Sequence, residues 1–181
     1  MELINRKVFF LIKEYEKLKD EQNKRIEFRD HMIYITLGVF GGVFAFILEK
    51  PEYNMALLII PFVSIVLGWT YLMNDVKVSE IGLYIKKILI PKIENSNSDS
   101  TISLIPNWED YHKLTHHRNT NKTIQLIVDI LLFCFAALFS IVIFFYLSSE
   151  IKCFHIILGC FEALLIFYLT FNFITIYRFY K

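Results

Sequence analysis

Apolar residues along this chain are concentrated in four long runs that hold few charges, and polar segments separate the runs. The runs cover residues 32–48, 55–73, 123–147 and 154–177. A transmembrane helix needs about 20 apolar residues, with a range near 17–25. A buried core helix of a soluble protein usually has only about 10–14 of them. The pattern therefore predicts four transmembrane helices, of which the first only just reaches the required length.

The composition supports a membrane protein, since 55% of the residues are hydrophobic and the mean hydropathy is +0.46. Soluble domains are usually about 45–50% apolar. Of the 19 Lys and Arg residues, all but Lys50 and Lys152 lie before the first run, between the second and third, or after the fourth. Because basic residues favour the cytoplasmic side, we expect both termini and the central segment to be cytoplasmic. The expected location is therefore a membrane whose cytoplasmic side carries most of the basic residues.

The fold class predicted is therefore all-α, a polytopic membrane protein with cytoplasmic helical segments. Residues 1–31 would form a cytoplasmic N-terminal helix, and residues 32–73 the first transmembrane hairpin. Residues 74–122 would form a cytoplasmic amphipathic helix with a flexible segment, and residues 123–177 the second transmembrane hairpin. The net charge of only +1 argues against direct nucleic-acid binding, which requires a strongly basic surface.

The end of the second run has the residues expected at a membrane boundary. Trp69 and Tyr71 are placed where an aromatic belt is expected, and Asn74 and Asp75 would end the span among the lipid headgroups. Pro61 lies inside the run and should kink it, since proline removes one backbone donor.

Two polar segments outside the runs have amphipathic spacing. Residues 78, 81, 85 and 88 share one helical face, which suits a helix on the inner leaflet or one packed in a domain. In the N-terminal segment, apolar residues follow the alternating spacing of a coiled-coil seam. They are Ile4, Val8, Leu11, Tyr15 and Leu18. This stripe could join two copies of the chain, or it could pack on the chain's own central segment.

Small residues at four-residue spacing occur in two of the runs. Gly38 and Gly42 form a GxxxG pair in the first, and Gly159 and Ala163 repeat the spacing in the fourth. Such pairs let helices approach closely in membranes. They indicate either packing within one protomer or the interface of a homo-oligomer.

Two acidic residues lie inside predicted spans, Asp129 in the third and Glu162 in the fourth. An ionisable group in lipid costs at least about 2.5–3.5 kcal/mol, so it normally faces a bundle interior or a water-filled path. Their sequence positions place them about 10–15 Å apart in depth, which is too far to share a proton.

The remaining reactive residues give no catalytic or metal site. Cys134, Cys153 and Cys160 lie within or beside the last two runs and are expected to pack as apolar residues. His112 and His116, followed by His117, have no neighbouring Cys to complete a zinc site, so no metal is predicted. Nucleotide-binding and nucleophile motifs are also absent from the sequence. We therefore expect a protein that is not an enzyme and has no cofactor.

The stretches "EYEKLKDEQNKRIEFRDHMIY", "LGWTYLMND" and "SEIGLYI" together resemble a family of small bacterial multispan proteins. The pattern places Arg29-Asp30 before the first span, then residues 67–75, then the segment 81–84. The match covers residues 14–90, and residues beyond it do not match. In architecture the chain is similar to membrane subunits of bacterial antiphage systems. Examples are the Kiwa membrane subunit and the membrane accessory proteins of type VI-B CRISPR loci.

The resemblance implies a non-enzymatic, oligomeric inner-membrane protein that acts in antiphage defence with a cytosolic partner. It would either sense disturbance of the membrane or permeabilise it. One alternative is a small channel or transporter that uses Asp129 and Glu162. Another is a membrane anchor or scaffold for a cytosolic protein.

Overall fold

The computed structural model describes residues 2–96, 118–148 and 150–180, and within them it is all-helical, with no strand. Helix α1 covers Glu2–Glu49 and is followed by a 3₁₀ helix at Pro51–Leu58. Helix α2 covers Ile59–Tyr84 and continues through a π-helical turn, Ile85–Leu89, into α3, Ile90–Ser96. Helix α4 covers Arg118–Ile130 and continues through a second π-helical turn, Leu131–Phe135, into α5, Ala136–Leu147. Helix α6 covers Cys153–Tyr180.

Four helical segments are long and apolar enough to cross a membrane: Arg6–Glu49, Pro51–Ser96, Lys122–Leu147 and Cys153–Phe179. Each contains one of the four apolar runs, so the prediction of an all-α chain with four such helices is confirmed. Large apolar side chains are exposed on their outer faces, among them Phe62, Val142 and Leu164. Since lipid tails are as apolar as these side chains, such a surface is suited to a bilayer.

The four helices form one bundle with two distinct ends. At one end, the Asn54 amide donates to the Ser148 hydroxyl at 3.2 Å, which joins the two short connections. We call this the turn end. At the opposite end, α1 is bonded to α2 and α2 is bonded to α4 by polar contacts described below. We call this the terminal end, because α1 begins and α6 ends on that side.

Helix α6 faces the bundle interior with a single stripe of residues. Its buried positions recur at alternating intervals of four and three, the spacing of coiled-coil seams. They are His155, Gly159, Glu162, Ile166, Leu169 and Phe173. Glu162 therefore occupies a core position. Gly159 and Ile166, the neighbours of Glu162 along this stripe, are also buried.

Beyond the terminal end, α1 and α2 continue side by side as a helical hairpin. We define the terminal hairpin as residues 6–31 of α1 together with residues 74–96. The N-terminal stripe of Leu11, Tyr15 and Leu18 packs there on the buried residues Ile85, Leu89 and Ile93. Of the two alternatives for this stripe, the structure therefore has the one in which it packs on the chain's own central segment.

The terminal hairpin differs from the expected pattern in one detail. Ile88 is 41% exposed, and Leu89 is buried in its place. A π-helical turn takes more residues per turn than an α-helix. The turn at Ile85–Leu89 therefore moves the buried face by one residue. As a result Ile85, Leu89 and Ile93, which are four residues apart, all face the N-terminal stripe.

Helix α1 has small residues on the face opposite to its packed side. A Cβ atom added at Gly38, Gly41 or Gly42 would meet nothing within 4 Å. Gly159 differs, since an added Cβ would lie 2.9 Å from Phe145 Cε2. The spacing in α6 therefore serves packing within the protomer. The glycines of α1 remain open to another surface.

Candidate functional site

One helical turn of α2 connects the terminal hairpin to the bundle. Tyr71, Asn74 and Asp75 lie on this turn, and each makes a polar contact with another helix. Tyr71 contacts α4, whereas Asn74 and Asp75 contact α1. The sequence analysis placed these residues at the end of the second span, but α2 continues unbroken past them to Tyr84. We call the group formed by this turn and its partners the junction.

The contacts to α1 use both ionic and amide groups. The Arg29 Nη1 donates to Asp75 Oδ1 at 3.0 Å. The Arg25 Nη1 donates to Asn74 Oδ1 at 3.4 Å, and the Asn74 amide donates to the carbonyl oxygen of Arg25. Asn74 is buried, so its amide replaces the water contacts that a headgroup position would have supplied. The junction thus bonds α1 and α2 where the hairpin meets the bundle.

The contact to α4 is a hydrogen bond between two buried side chains. Tyr71 Oη donates to Asp129 Oδ1 at 2.8 Å, and Gln125 Nε2 donates to Tyr71 Oη at 3.3 Å. Tyr71 is only 1% exposed and therefore does not face lipid as an aromatic belt residue would. Its hydroxyl acts as donor and acceptor at once, which fixes the direction of the ring.

A cavity of about 230 Å³ lies among α1, α2, α4 and α6 at the junction. Its lining extends from Ser79 and Lys122 near the terminal end to Tyr71 and Asp129 inside the bundle. Arg29 also lines it, and its Nε atom is buried without a hydrogen-bond partner among the described residues. We call this space the junction cavity. Its lining contains both charged and apolar side chains.

Three aromatic rings close the bundle on the inner side of the junction cavity. The ring centroids of Tyr71 and Phe133 are 5.2 Å apart, and those of Tyr71 and Phe173 are 6.3 Å apart. Phe133 and Phe173 are stacked at 6.2 Å. Rings at these distances attract each other beyond simple burial. The three residues form what we call the aromatic gate.

Glu162 lies farther inside, toward the turn end. It is 5% exposed, and its Oε2 atom has no hydrogen-bond partner among the described residues. On α6, Glu162 lies eleven residues before Phe173, which belongs to the aromatic gate. This separation is about 16 Å at 1.5 Å per residue. The structure therefore keeps Asp129 and Glu162 apart, on opposite sides of the aromatic gate.

The other residues singled out from the sequence lie at separate places. Trp69 is partly exposed and stacks on Tyr168 at a centroid distance of 6.1 Å. Pro61 is buried in the first turn of α2, directly after the 3₁₀ helix Pro51–Leu58. Ala163 packs beside the core.

Residues 97–117, which include His112 and His116, lie outside the described residues. Among the described residues no group of His, Cys, Asp and Glu could hold a metal ion.

Sequence reasoning missed the pairings of the junction, although it singled out most of the members. Arg29, Tyr71 and Asp75 belong to the resemblance pattern quoted above, and Asp129 was noted as an acid inside a span. Gln125 carried no signal, because a polar residue near the start of a span is ordinary. The partners lie 46 and 58 residues apart along the chain, so local patterns could not join them.

In comparisons by sequence and by structure, no family model, curated protein or solved structure matches this chain.

Proposed function

We propose that the chain is an oligomeric inner-membrane protein that serves bacterial antiphage defence with a cytosolic partner. The terminal hairpin binds the partner, and the bundle responds by changing state in the membrane. The protein acts either as a sensor of membrane disturbance or as an effector that permeabilises the membrane. In this proposal the terminal end is cytoplasmic, which the distribution of Lys and Arg supports.

The observation that carries the proposal is the continuity of two helices through the junction. Helix α1 covers Glu2–Glu49, and residues 59–96 are helical without interruption, so each of these helical segments extends from the terminal hairpin into the bundle. Rigid secondary-structure elements can carry coupling between distant sites. A partner that moves the hairpin therefore moves the junction and, with it, the interior ends of both helices.

The oligomer would form through the open small-residue face of α1. Gly38 and Gly42 lie on this face with no packed neighbour, and Ala45 beside them is also exposed. Two such faces can bring helix backbones close together, which gains van der Waals contact without a hydrophobic driving force. This arrangement leaves the interior of each protomer unchanged, because the buried side of α1 faces α2.

Support for antiphage defence comes from the resemblance of residues 14–90 to small bacterial multispan proteins and from the four-span architecture. Architecture alone is an analogy, because one fold serves many functions. The proposal therefore depends on a functional test in which the junction is altered without loss of the fold.

The test uses the ion pair of the junction. Cells carrying the chain with its neighbouring genes are challenged with phage, and the efficiency of plating is compared among variants. We expect Arg29→Asp and Asp75→Arg each to reduce protection, because each replaces the ion pair of Arg29 and Asp75, joined at 3.0 Å, by two like charges. The double exchange restores opposite charges and should recover part of the protection. The exposed pair Lys77 and Glu80, exchanged in the same way, is the control and should have no effect.

Two results would oppose the proposal. Protection that stays complete in both single variants would remove the junction from the mechanism. Absence of protection with the unaltered chain, at normal expression, would remove antiphage defence.

A second candidate function is a small channel or transporter without a defence role. The observation that favours it is Glu162, whose buried Oε2 atom has no hydrogen-bond partner within the part of the chain that the structure describes. A membrane anchor is the third reading. It differs from the other two because an anchor would tolerate any change inside the bundle that preserves the fold.

A further inference from the structure

We propose that the interior of each protomer is a proton pathway held closed by the aromatic gate, with Glu162 as the interior proton carrier. The hydrogen bond from Tyr71 to Asp129 keeps the gate shut. This inference rests on the permeabilising form of the proposed function, to which it adds the transported species and the closing element.

The carrier is assigned from the surroundings of Glu162. A buried carboxyl group normally has its oxygens bonded, and an unpaired polar atom in the interior costs about 1–3 kcal/mol. Glu162 Oε2 and Ser64 Oγ both lack a hydrogen-bond partner among the described residues. Two such atoms in one bundle indicate polar groups whose partners arrive in another state. Water and protons are partners that require no further protein group.

The depth of these two groups follows from the contacts of two glycines. An added Cβ at Gly68 of α2 would touch Leu169 of α6, and one at Gly159 of α6 would touch Phe145 of α5. Because α2 and α6 are parallel, Ser64 lies level with a position near residue 165 of α6. This position is about 5 Å in depth from Glu162 at 1.5 Å per residue.

The same reasoning brings a second hydroxyl to this level. Helix α5 is antiparallel to α6, so Ser140, five residues before Phe145, lies level with a position near residue 164. Ser140 is buried and donates to the carbonyl of Ala137 at 2.8 Å. Two hydroxyls and one carboxyl thus share about one helical turn of depth in the middle of the bundle. A hydroxyl can accept one proton and donate another, as a relay requires.

Protons suit this interior better than metal cations do. Ca²⁺ takes 6–8 oxygen ligands and Mg²⁺ requires a nearly ideal octahedron. The level of Glu162 offers one carboxyl group and two hydroxyls, which is too few for either. A proton needs only one acceptor at a time, together with waters that bridge the gaps.

The gate is closed through Tyr71, which links it to the junction. The Tyr71 ring contacts Phe133 and Phe173, and its hydroxyl is held by Asp129 at 2.8 Å. Asn74 and Asp75 lie on the same helical turn and are bonded to α1. Movement of the terminal hairpin therefore pulls on the turn that holds the gate ring. Loss of the Tyr71–Asp129 bond frees the ring to leave its place against the two phenylalanines.

The titratable groups that face the interior can be named for each helix. Among the described residues they are Tyr71 on α2, Asp129 on α4, Cys134 on the following π-helical turn, and His155 and Glu162 on α6. His155 is buried about 10 Å from Glu162 toward the turn end at 1.5 Å per residue. Helix α1 adds Arg29, which lines the junction cavity together with Asp75 of α2, Lys122 of α4 and Tyr177 of α6. Helix α5 adds no buried titratable group within the described residues.

The transfer changes only O–H and N–H bonds. A hydronium ion that enters the junction cavity from solvent gives a proton to the Asp129 carboxylate at the terminal end and leaves a water molecule. With the gate open, Asp129 releases this proton through entering water to the Glu162 carboxylate. Asp129 is then a carboxylate again, and Glu162 is the neutral acid. Glu162 then releases it through water to the His155 ring and to solvent at the turn end, which restores the carboxylate. The electrochemical gradient sets the direction, and no redox partner is required.

The experiment measures proton flux through the full chain in liposomes. The purified protein is reconstituted at equal density in anionic phospholipid vesicles that contain a pH-sensitive dye, and a potassium potential drives the flux. We expect Tyr71→Phe to raise proton flux about tenfold over the unaltered chain, since it keeps the ring but removes the hydroxyl that donates to Asp129 and accepts from Gln125. Tyr168→Phe is the matched control, because Tyr168 is exposed, and its flux should equal that of the unaltered chain. Phe133→Leu opens the gate by a different change and should raise flux as well.

Adding Glu162→Gln to the Tyr71→Phe variant should abolish the increase, because Gln cannot exchange a proton. Equal flux in the unaltered chain, Tyr71→Phe and Phe133→Leu would overturn the gate. An increase that survives Glu162→Gln would overturn Glu162 as the carrier. Flux of Na⁺ through the opened variants, measured with the pH gradient clamped, would overturn the assignment to protons.

The phage assay separates this inference from the proposed function. Gated proton flux without any effect on phage plating leaves the pathway in place and removes the defence role. Protection without gated flux leaves the defence role to a sensor and removes the pathway.

Discussion

Gly68 gives a direct test of how tightly the bundle is packed beside the aromatic gate. A Cβ atom added at this position would lie 2.9 Å from Leu169 Cδ2 and 3.2 Å from Phe133 Cβ and Cγ. The Leu169 methyl group is the end of a side chain, whereas Phe133 Cβ is next to the backbone. Both neighbours are fully buried. Gly68→Ala therefore requires α2 and its neighbours to separate by a few tenths of an ångström.

The size of the effect follows from two opposing terms. Overpacking in a filled core costs about 1–3 kcal/mol, whereas replacing Gly by Ala in a helix interior returns about 1 kcal/mol. Gly41→Ala is the matched control, because a Cβ atom there meets nothing within 4 Å. The propensity term is common to both variants and cancels in their difference. Gly68→Ala should therefore be less stable than Gly41→Ala by about 1–3 kcal/mol.

The measurement is thermal unfolding of the detergent-solubilised protein, followed by tryptophan fluorescence at a fixed heating rate. In a chain of this length, about 1 kcal/mol shifts the midpoint by roughly 2–4 °C. We therefore expect the two midpoints to differ by about 2–12 °C. Equal midpoints, or a higher one for Gly68→Ala, would refute the close contact of α2 with α6 on which the depth of Glu162 depends.

Three further predictions concern topology, assembly and the terminal hairpin. In a variant without the native cysteines, cysteines added near either terminus or near residue 100 should be labelled only in permeabilised cells. One added near residue 150 should be labelled in intact cells, and the opposite result would reverse the orientation. Gly42→Leu should shift the extracted particle to lower mass, whereas an unchanged mass would exclude the α1 face as the interface. Leu89→Ala should lower the stability of the hairpin by about 2–4 kcal/mol and accelerate its proteolysis, whereas Ile88→Ala, at an exposed position, should not.

The four long helices could be predicted from sequence because the signal is local. Length and apolar content of a single run are sufficient to recognise a possible span, and all four runs lie in helices of the structure. The stripe of Leu11, Tyr15 and Leu18 could be recognised for the same reason, since helical periodicity places these residues on one face. The surface that this stripe contacts could not be predicted, because the sequence pattern is the same whether the stripe packs on its own chain or on a second copy.

The continuation of α2 past Asn74 could not be predicted, because its cause lies elsewhere in the chain. A polar pair after an apolar run is the ordinary sign of a span that ends in water. Here Asn74 is bonded to Arg25, which lies 49 residues earlier. The π-helical turn at Ile85–Leu89 is a second example. It moves the face toward α1 by one residue, and the regular periodicity of an α-helix does not predict this shift.

Asp129 and Glu162 show why burial of a charge is not enough to assign its role. In the sequence both are single acids inside apolar runs, so they carry the same signal. In the structure Asp129 accepts a hydrogen bond from the Tyr71 hydroxyl and lines the junction cavity. Glu162, in contrast, has an oxygen without a hydrogen-bond partner among the described residues. The bond explains why the protein tolerates Asp129, since it serves the closed gate. The described residues offer no comparable contact to Glu162, and this difference is why we propose that Glu162 acts in another state of the bundle.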